Sequence, residues 1–470
     1  MNEVLGLALV ELSEGLRARR WSSVELMEAV LDRIDEANPD LNAVVALRDP
    51  EALYADARAA DARVARGEAR PLEGIPLGVK DLEDAEGLVT SEGSLPFREN
   101  LAVRDSTQVA RLRAAGAIVV GKTNAPEFGY TAITKNLVHG VTRSPWNLER
   151  TPGGSSGGSS AALAGLLLPL VTASDGGGSI RIPASFTGAF GLKPSYGRIP
   201  HGPSERWYYG VTACYGPLTR TVEDAALFLD QVAGASPLDP HSLPDPGSSY
   251  LEAVRGEAPS GLRIGYSPDL GYAVVQSDVA EAVEGSVRTF EKLGHQVESF
   301  AAGPPDLGRE WGLLGSFELA SQLHPLFEDH AESFGRSFFA GLKTAWNMNP
   351  ERFGRLAELR EQLNRWCAES FERYDLLVMP TVPYDPPPAR GPFPSETEGR
   401  PQGVAGVAAF TIPFNLSWHP AATVRAGLSR SGLPIGMQIV GPRHRDDLVL
   451  RAAAAFERAC PWHPHWPERW

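Results

Sequence analysis

Cysteine is scarce in this chain. Cys214, Cys367 and Cys460 are three in 470 residues, odd in number and far apart, which argues against a disulfide framework or a zinc ribbon. Basic residues are also in deficit. The 44 Lys and Arg against 58 Asp and Glu leave a formal charge of −14, whereas a nucleic-acid partner calls for clustered cations. Long apolar runs are missing too: the longest, 161–173, is broken by Pro169 and is too short to cross a bilayer. The first residues carry Glu3 where a signal peptide is basic. The expectation is a cytoplasmic protein with neither nucleic acid nor membrane as partner.

Glycine and apolar residues are plentiful. A hydrophobic content of 43 % is enough to bury a sizeable core, in one large α/β unit or up to about three ordinary domains. The stretch 151–184 reads TPGGSSGGSSAALAGLLLPLVTASDGGGSIRIPA. Its two glycine–serine clusters flank a small-residue apolar run. Glycine loses more chain entropy on folding than any other residue, so clusters of this kind suggest backbone that approaches a ligand and aims N–H groups at it.

Around that stretch the pattern predicts helices over 22–37, 49–67, 105–115, 221–232, 278–294 and 446–459. The first opens with Ser22 and Glu25 at capping-box spacing, and the fourth with Thr221 and Asp224. Short strands are expected at the end of 71–80 and over 117–120, 261–266 and 376–379. A further pair, 421–425 and 435–440, is expected to meet around a turn. The segments 235–260 and 384–403 are rich in turn formers; the first is expected to be a loop or the join to an insertion, the second a loop. The span 303–373 is helical and aromatic. Helices alternating with short apolar strands predict an α/β layered fold.

Three motifs invite a function. Gly116-Ala-Ile-Val-Val-Gly121-Lys122-Thr123 fits the P-loop pattern, but a P-loop follows a strand and opens a helix. Here a helix comes before and a β-branched strand occupies the interval, so nucleotide binding is the distant alternative. Gly154-Ser155-Ser156-Gly157-Gly158 fits a nucleophile elbow, which needs a preceding strand and a downstream acid and histidine. Residues 147–153 are turn-like instead. Lys80 ends an apolar strand, where a lysine ordinarily reaches out to water.

Taken together, GIPLGVKD (74–81), GGSSGGSS (153–160) and SDGGGSIRIPA (174–184) resemble the amidase signature family. GPLTRTVEDAALFLD (216–230) and GLPIGMQIVG (432–441) extend the resemblance over nearly the whole chain. It implies one domain built on a large mixed twisted β-sheet with helices on both faces. Its expected parts are an N-terminal helical region (1–70), the signature core (71–235), a variable, largely helical substrate-side insertion (236–375) and a return to the sheet (376–470). It implies a Ser–cis-Ser–Lys triad in which Ser179 is the nucleophile, Ser155 the proton relay on a cis peptide and Lys80 the base. Ser156 is then a hydrogen-bonding support. Gly176, Gly177 and Gly178 supply the oxyanion hole, although relatives commonly carry Thr, Ile or Gln at the position of Gly176. Asp175 and Arg181 fit the supporting shell, or an ordinary structural ion pair. No metal or organic cofactor is implied.

The chemistry sets a requirement. A lysine can take the proton of a serine only when neutral, and its free pKa of about 10.4 must be lowered by burial. The run 75–79 before Lys80 suits that. The adjacent Asp81 would oppose it, but successive strand side chains point to opposite faces.

The implied substrate is a small amide, apolar or aryl, with carbamates and esters possible, and the chain a monomer or homodimer. The alternative is a glutaminase like the catalytic chain of the tRNA-linked amidotransferases, working with partner subunits. Against it, Ile182 stands where those tRNA-linked chains usually carry Gln. Tyr130, Gly154, Trp207, Tyr209 and Trp311 are candidates to wall an apolar pocket. Trp418 and His419 stand where relatives often have Gly-Leu or Gly-Tyr, and are expected to narrow it. His463 and His465 make a poor metal site.

Overall fold

The computed structural model describes residues 2–202, 211–462 and 466–467. Trp207, Tyr209, His463 and His465 lie outside the described residues. Hydrogen bonding divides the strands into two main sheets. The larger has seven strands in the order Leu218–Thr219, Phe190–Lys193, Ala421–Leu428, Pro434–Val440, Leu376–Pro380, Arg263–Tyr266, Gln296–Ser299. It is mixed: Arg263–Tyr266 runs parallel to both its neighbours, and the remaining pairings are antiparallel. The smaller has four strands in the order Val44–Leu47, Ile118–Thr123, Pro76–Lys80, Leu170–Val171.

Side-chain alternation shows how the large sheet is covered. On Pro434–Val440, Gly436 and Gln438 face the helix Arg181–Thr187, through Ser185 and Arg181. Ile435, Met437 and Ile439, each at most 2 % exposed, point to the other face. There the helices Ser277–Lys292 and Asp446–Ala459 pack on the same strands.

The helix starts follow their caps. Ser22 accepts from the Glu25 N–H while Glu25 reaches back, so Ser23–Leu41 opens on a complete capping box. Thr221 caps Val222–Val232 through the Asp224 N–H. The segment 235–260 is not all loop, because it contains the helix Tyr250–Arg255. Ser249 caps that helix through the Glu252 N–H, a spacing visible in the sequence but followed by a helix of only six residues.

The P-loop look-alike is a turn at Gly116, with φ 108°, followed by strand from Ile118 onward. Ile118–Thr123 continues past the expected end at 120, so Gly121-Lys122-Thr123 forms no turn and cradles no phosphate. Gly121 pairs with Leu47 on one side and Gly78 on the other. The buried Lys122 ammonium donates to the Glu83 carbonyl and, over 3.1 Å, to Thr90 Oγ1. A Cβ at Gly121 would collide with the Ala46 carbonyl. Gly121→Ala is therefore expected to cost about 1–3 kcal/mol, as overpacking in a core does. Urea unfolding measures this, and ATP with Mg²⁺ should leave the melting temperature of the unaltered protein unchanged.

Candidate active site

The smaller sheet delivers Lys80 and the glycine–serine stretch delivers the rest. Lys80 ends its strand at 1 % exposure, its backbone N–H donating to Thr172 Oγ1 over 3.0 Å. Its Nζ lies 2.8 Å from Ser155 Oγ, 2.8 Å from Ser156 Oγ and 2.9 Å from Ser174 Oγ. Burial pushes the pKa of the amine down to about 7, outweighing the charges of Asp175, Glu83 and Glu92 that favour the ammonium. Three hydroxyls suit both protonation states. The ammonium donates three hydrogen bonds, and the neutral amine donates two and accepts one. Asp81 is occupied elsewhere: its carboxylate takes the Ser91 N–H at 3.0 Å and the Ser91 hydroxyl, and lies 3.5 Å from the His139 ring.

Ser155 follows a cis Gly154–Ser155 peptide and is 3 % exposed. The Ser156 N–H donates to the Ser179 carbonyl over 3.2 Å, and the Ser156 hydroxyl to the Ser174 carbonyl over 3.2 Å. The two serine clusters are thereby laid side by side above Lys80.

The loop from Asp175 to Ser179 is anchored through the carbonyls of its first four residues. Asp175 O accepts from Asn415 Nδ2 at 2.8 Å, Gly176 O from Trp311 Nε1 at 2.8 Å, Gly177 O from Thr411 Oγ1 at 2.6 Å and Gly178 O from the Ile182 N–H at 2.7 Å. A trans peptide is planar, with its C=O and N–H on opposite sides, so each anchored carbonyl sets the direction of the next N–H. The anchoring corrects one expectation. The Gly178 N–H donates to Asp175 Oδ1 over 2.7 Å and is not available to an oxyanion. Among the described residues the N–H groups of Gly176, Gly177 and Ser179 have no acceptor. The unengaged set therefore includes the N–H of Ser179 in place of that of Gly178.

Asp175 and Arg181 are both fully buried and paired at 2.8 Å. Burial pushes the Asp175 carboxyl up, but the charge and hydrogen bonds of Arg181 and the Asn415 amide hold it well below the usual carboxylate range. Arg181 also donates to the Thr411 carbonyl at 3.0 Å and to Gln438 Oε1 at 2.7 Å.

Two cavities meet at Ser179. The inner, of about 40 Å³, is lined by Leu82, Phe128, Ser155, Ser174, His201 and Tyr215, with the His201 ring flat on Tyr215 at 4.3 Å. The outer, of about 170 Å³, is lined chiefly by apolar groups, among them Ile182, Phe393, Val404, Val407 and Ile412. Gly129, Gly177, Ser179 and Trp311 border both. Tyr130 and Gly154 line the outer cavity.

Trp418 and His419 line neither cavity. Trp418, at φ 67°, stacks on Tyr196 at 4.8 Å and donates to the Val211 carbonyl at 2.6 Å. His419 stacks on Phe371 at 4.9 Å, and burial lowers its pKa to about 3. The left-handed backbone at 418 turns both rings away, so they do not narrow the pocket as expected. Of the aromatic residues of 303–350, Trp311 is the one that borders the cavities. Phe334 and Phe338 are core and cluster with Phe128, Phe327 and Phe339 pack on them half-buried, and Trp346 is exposed.

Sequence reasoning does not single out Ser174, Thr411, Asn415, Gln438, His201 or Tyr215. Ser174 sits inside the second glycine–serine block and is accessible to a count of nearby hydroxyls. Thr411, Asn415 and Gln438 come from 230 or more positions away and carry no local signal.

A family model described as Amidase matches residues 25–450. An acylamidase of Rhodococcus erythropolis is 37 % identical over 469 residues, covering 97 % of this chain and 96 % of that protein. A glutamyl-tRNA(Gln) amidotransferase chain of Roseiflexus castenholzii is 33 % identical, covering 100 % of this chain and 99 % of that one. The crystal structure of a bacterial aryl acylamidase of the amidase signature family superposes with a TM-score of 0.93 at 30 % identity, over 98 % of this chain and 97 % of its own.

Removing Arg181 would strand a buried carboxylate. Arg181→Met is expected to lose about 3–5 kcal/mol, the usual result of breaking one side of a buried ion pair, measured by urea unfolding.

Proposed function

This chain belongs to the amidase family, and on that premise we propose that it hydrolyses carboxylic amide C–N bonds of small apolar or aryl substrates through an acyl-enzyme on Ser179. The observation that carries the reading is the Lys80 amine, sealed from water and 2.8 Å from the hydroxyl of Ser155, in a site whose cavity Ser155 shares with Ser179.

The steps follow from the groups. Ser155 passes its proton to the neutral Lys80 while accepting that of Ser179, which attacks the carbonyl carbon. The oxyanion forms beside the unengaged N–H groups of the glycine loop. The proton returns by the same route to the leaving nitrogen, and water then repeats the sequence to release the acid. The apolar outer cavity supports an alkyl or aryl group on the substrate, and the same chemistry extends to carbamates and esters.

Likeness to the amidotransferase chain supports a second reading, a glutaminase that works with partner chains. The apolar lining around Ile182, Phe393 and Ile412 favours the first, because a primary amide with a charged amino-acid head would be desolvated there without partners. A panel of anilides, primary amides including glutamine, carbamates and esters, offered to the purified chain, separates the two. Turnover of glutamine alone would overturn the first.

Ser179→Ala is expected to lose turnover of a nitroanilide on the order of 10⁴-fold or more while keeping its melting temperature. Retained activity would remove Ser179 from the mechanism. The pH profile has a definite sign. With the amine titrating at about 7, kcat/KM should fall about tenfold per pH unit below that value, as Lys80 takes up a proton, and level off above it. A rate that stays flat down to about pH 5 would contradict Lys80 as base.

A further inference from the structure

Three consecutive glycines give the loop before Ser179 little resistance to a peptide flip, because no side chain penalises either orientation. The direction of each N–H is therefore set from outside. The peptide joining Asp175 and Gly176 is held by Asn415 Nδ2. The one joining Gly177 and Gly178 is held at both ends, by Thr411 Oγ1 on its carbonyl and Asp175 Oδ1 on its N–H. The one joining Gly178 and Ser179 is held by the Ile182 N–H. The peptide joining Gly176 and Gly177 shares with those that carry the Gly176 and Ser179 N–H groups an N–H that has no acceptor among the described residues. It differs from them in being held by a side chain that borders both cavities. Its carbonyl accepts the indole N–H of Trp311 at 2.8 Å across 135 positions of sequence.

Trp311 comes from the helix Gly308–Leu323 and borders both cavities. Its six-membered ring lies so close over Gly177 that a Cβ there would collide with it. We propose that Trp311 is a positioning residue of the reaction, whose indole N–H holds the Gly176–Gly177 peptide so that the Gly177 N–H meets the substrate oxygen at Ser179. This deepens, and rests on, the acyl-enzyme reading.

The effect is electrostatic. In the observed orientation the carbonyl points to the indole, so the N–H is turned to the opposite side. In the flipped orientation the same peptide would present its carbonyl, a partial negative charge, where the oxyanion develops. A fixed donor is worth most in the transition state, so holding it acts on the chemical step more than on substrate binding. The indole substitutes for the restraint that a side chain at position 176 would otherwise supply.

The test replaces the N–H and keeps the ring. Trp311→Phe removes the donor. 3-Benzothienylalanine placed at 311 puts sulfur where the N–H was and preserves the bicyclic shape. For both, kcat on a small nitroanilide should fall about tenfold to a hundredfold, a part of what losing an oxyanion donor outright causes, while KM stays within about threefold. The affinity for phenylboronic acid, which forms a tetrahedral adduct with an active-site serine, should weaken by the same factor as kcat/KM. A rise in KM with kcat unchanged would make Trp311 only a wall and overturn the proposal, as would unaltered boronate affinity. If the phenylalanine variant does not fold, the benzothienyl variant carries the test. Failure of the parent reading is separate, since it would show as retained turnover in Ser179→Ala whatever happens at 311.

Discussion

The site depends on keeping one amine out of water beside a carboxylate that would rather see it charged. Asp175 is the strongest of the charges favouring the Lys80 ammonium. Left alone in a buried site it would hold the proton in place. Its charge is instead shared with Arg181, at 2.8 Å and fully buried, and with the Asn415 amide. Burial then wins, and the amine titrates at about 7, within the ordinary pH range. The ion pair thus shapes the electrostatics of the Lys80 amine without touching it. Arg181 carries that role into the large sheet through Gln438, so the smaller sheet that bears Lys80 and the larger sheet act on one proton.

The same carboxylate organises the glycine loop. Its two oxygens accept the N–H groups of Gly178, Ile180 and Arg181, bending the chain so that the Gly176, Gly177 and Ser179 N–H groups are left over. At Gly178, φ is 132° and a Cβ would meet Thr411. At Gly177 the obstacle is the Trp311 ring. Glycine at these two positions is therefore required by close approach from both sides, and any side chain would displace the walls that orient the peptides.

Much of this is legible in the sequence, and the part that is not has a common cause. Local signals serve well: the capping box at Ser22, the turn joining Ala421–Leu428 to Pro434–Val440, and the buried strand ending at Lys80 all depend on neighbours within a few positions. The blocks around Lys80, Ser155 and Ser179 carry enough pattern to name the family. What escapes is what depends on direction. Nothing in a run of glycines tells which N–H is consumed internally, so Gly178 reads as a donor to the oxyanion although Asp175 takes it. Trp418 and His419 read as pocket residues because they stand where relatives often have Gly-Leu or Gly-Tyr, yet a left-handed backbone at 418 sends the rings elsewhere. The P-loop pattern fails for the same reason in reverse, since a motif of letters has no direction until a strand gives it one.

Burial alone does not make a lysine into a base. Lys80, Lys122 and Lys193 are each at most 1 % exposed, and desolvation lowers the pKa of all three. Lys122 stands in register opposite Val79, one position from Lys80, on the adjacent strand. The difference lies in what each nitrogen meets. Lys122 donates to the Glu83 carbonyl and the Thr90 hydroxyl, and Lys193 to the Pro194 carbonyl at 2.8 Å. A carbonyl oxygen has no proton to give, so a neutral amine facing it can relay nothing, and Thr90 does not line the cavities at Ser179. Lys80 alone of the three meets hydroxyls that border a cavity, Ser155 and Ser174. The one-residue offset between two neighbouring strands thus separates a lysine tied to a backbone carbonyl from one that faces the hydroxyls of the cavity.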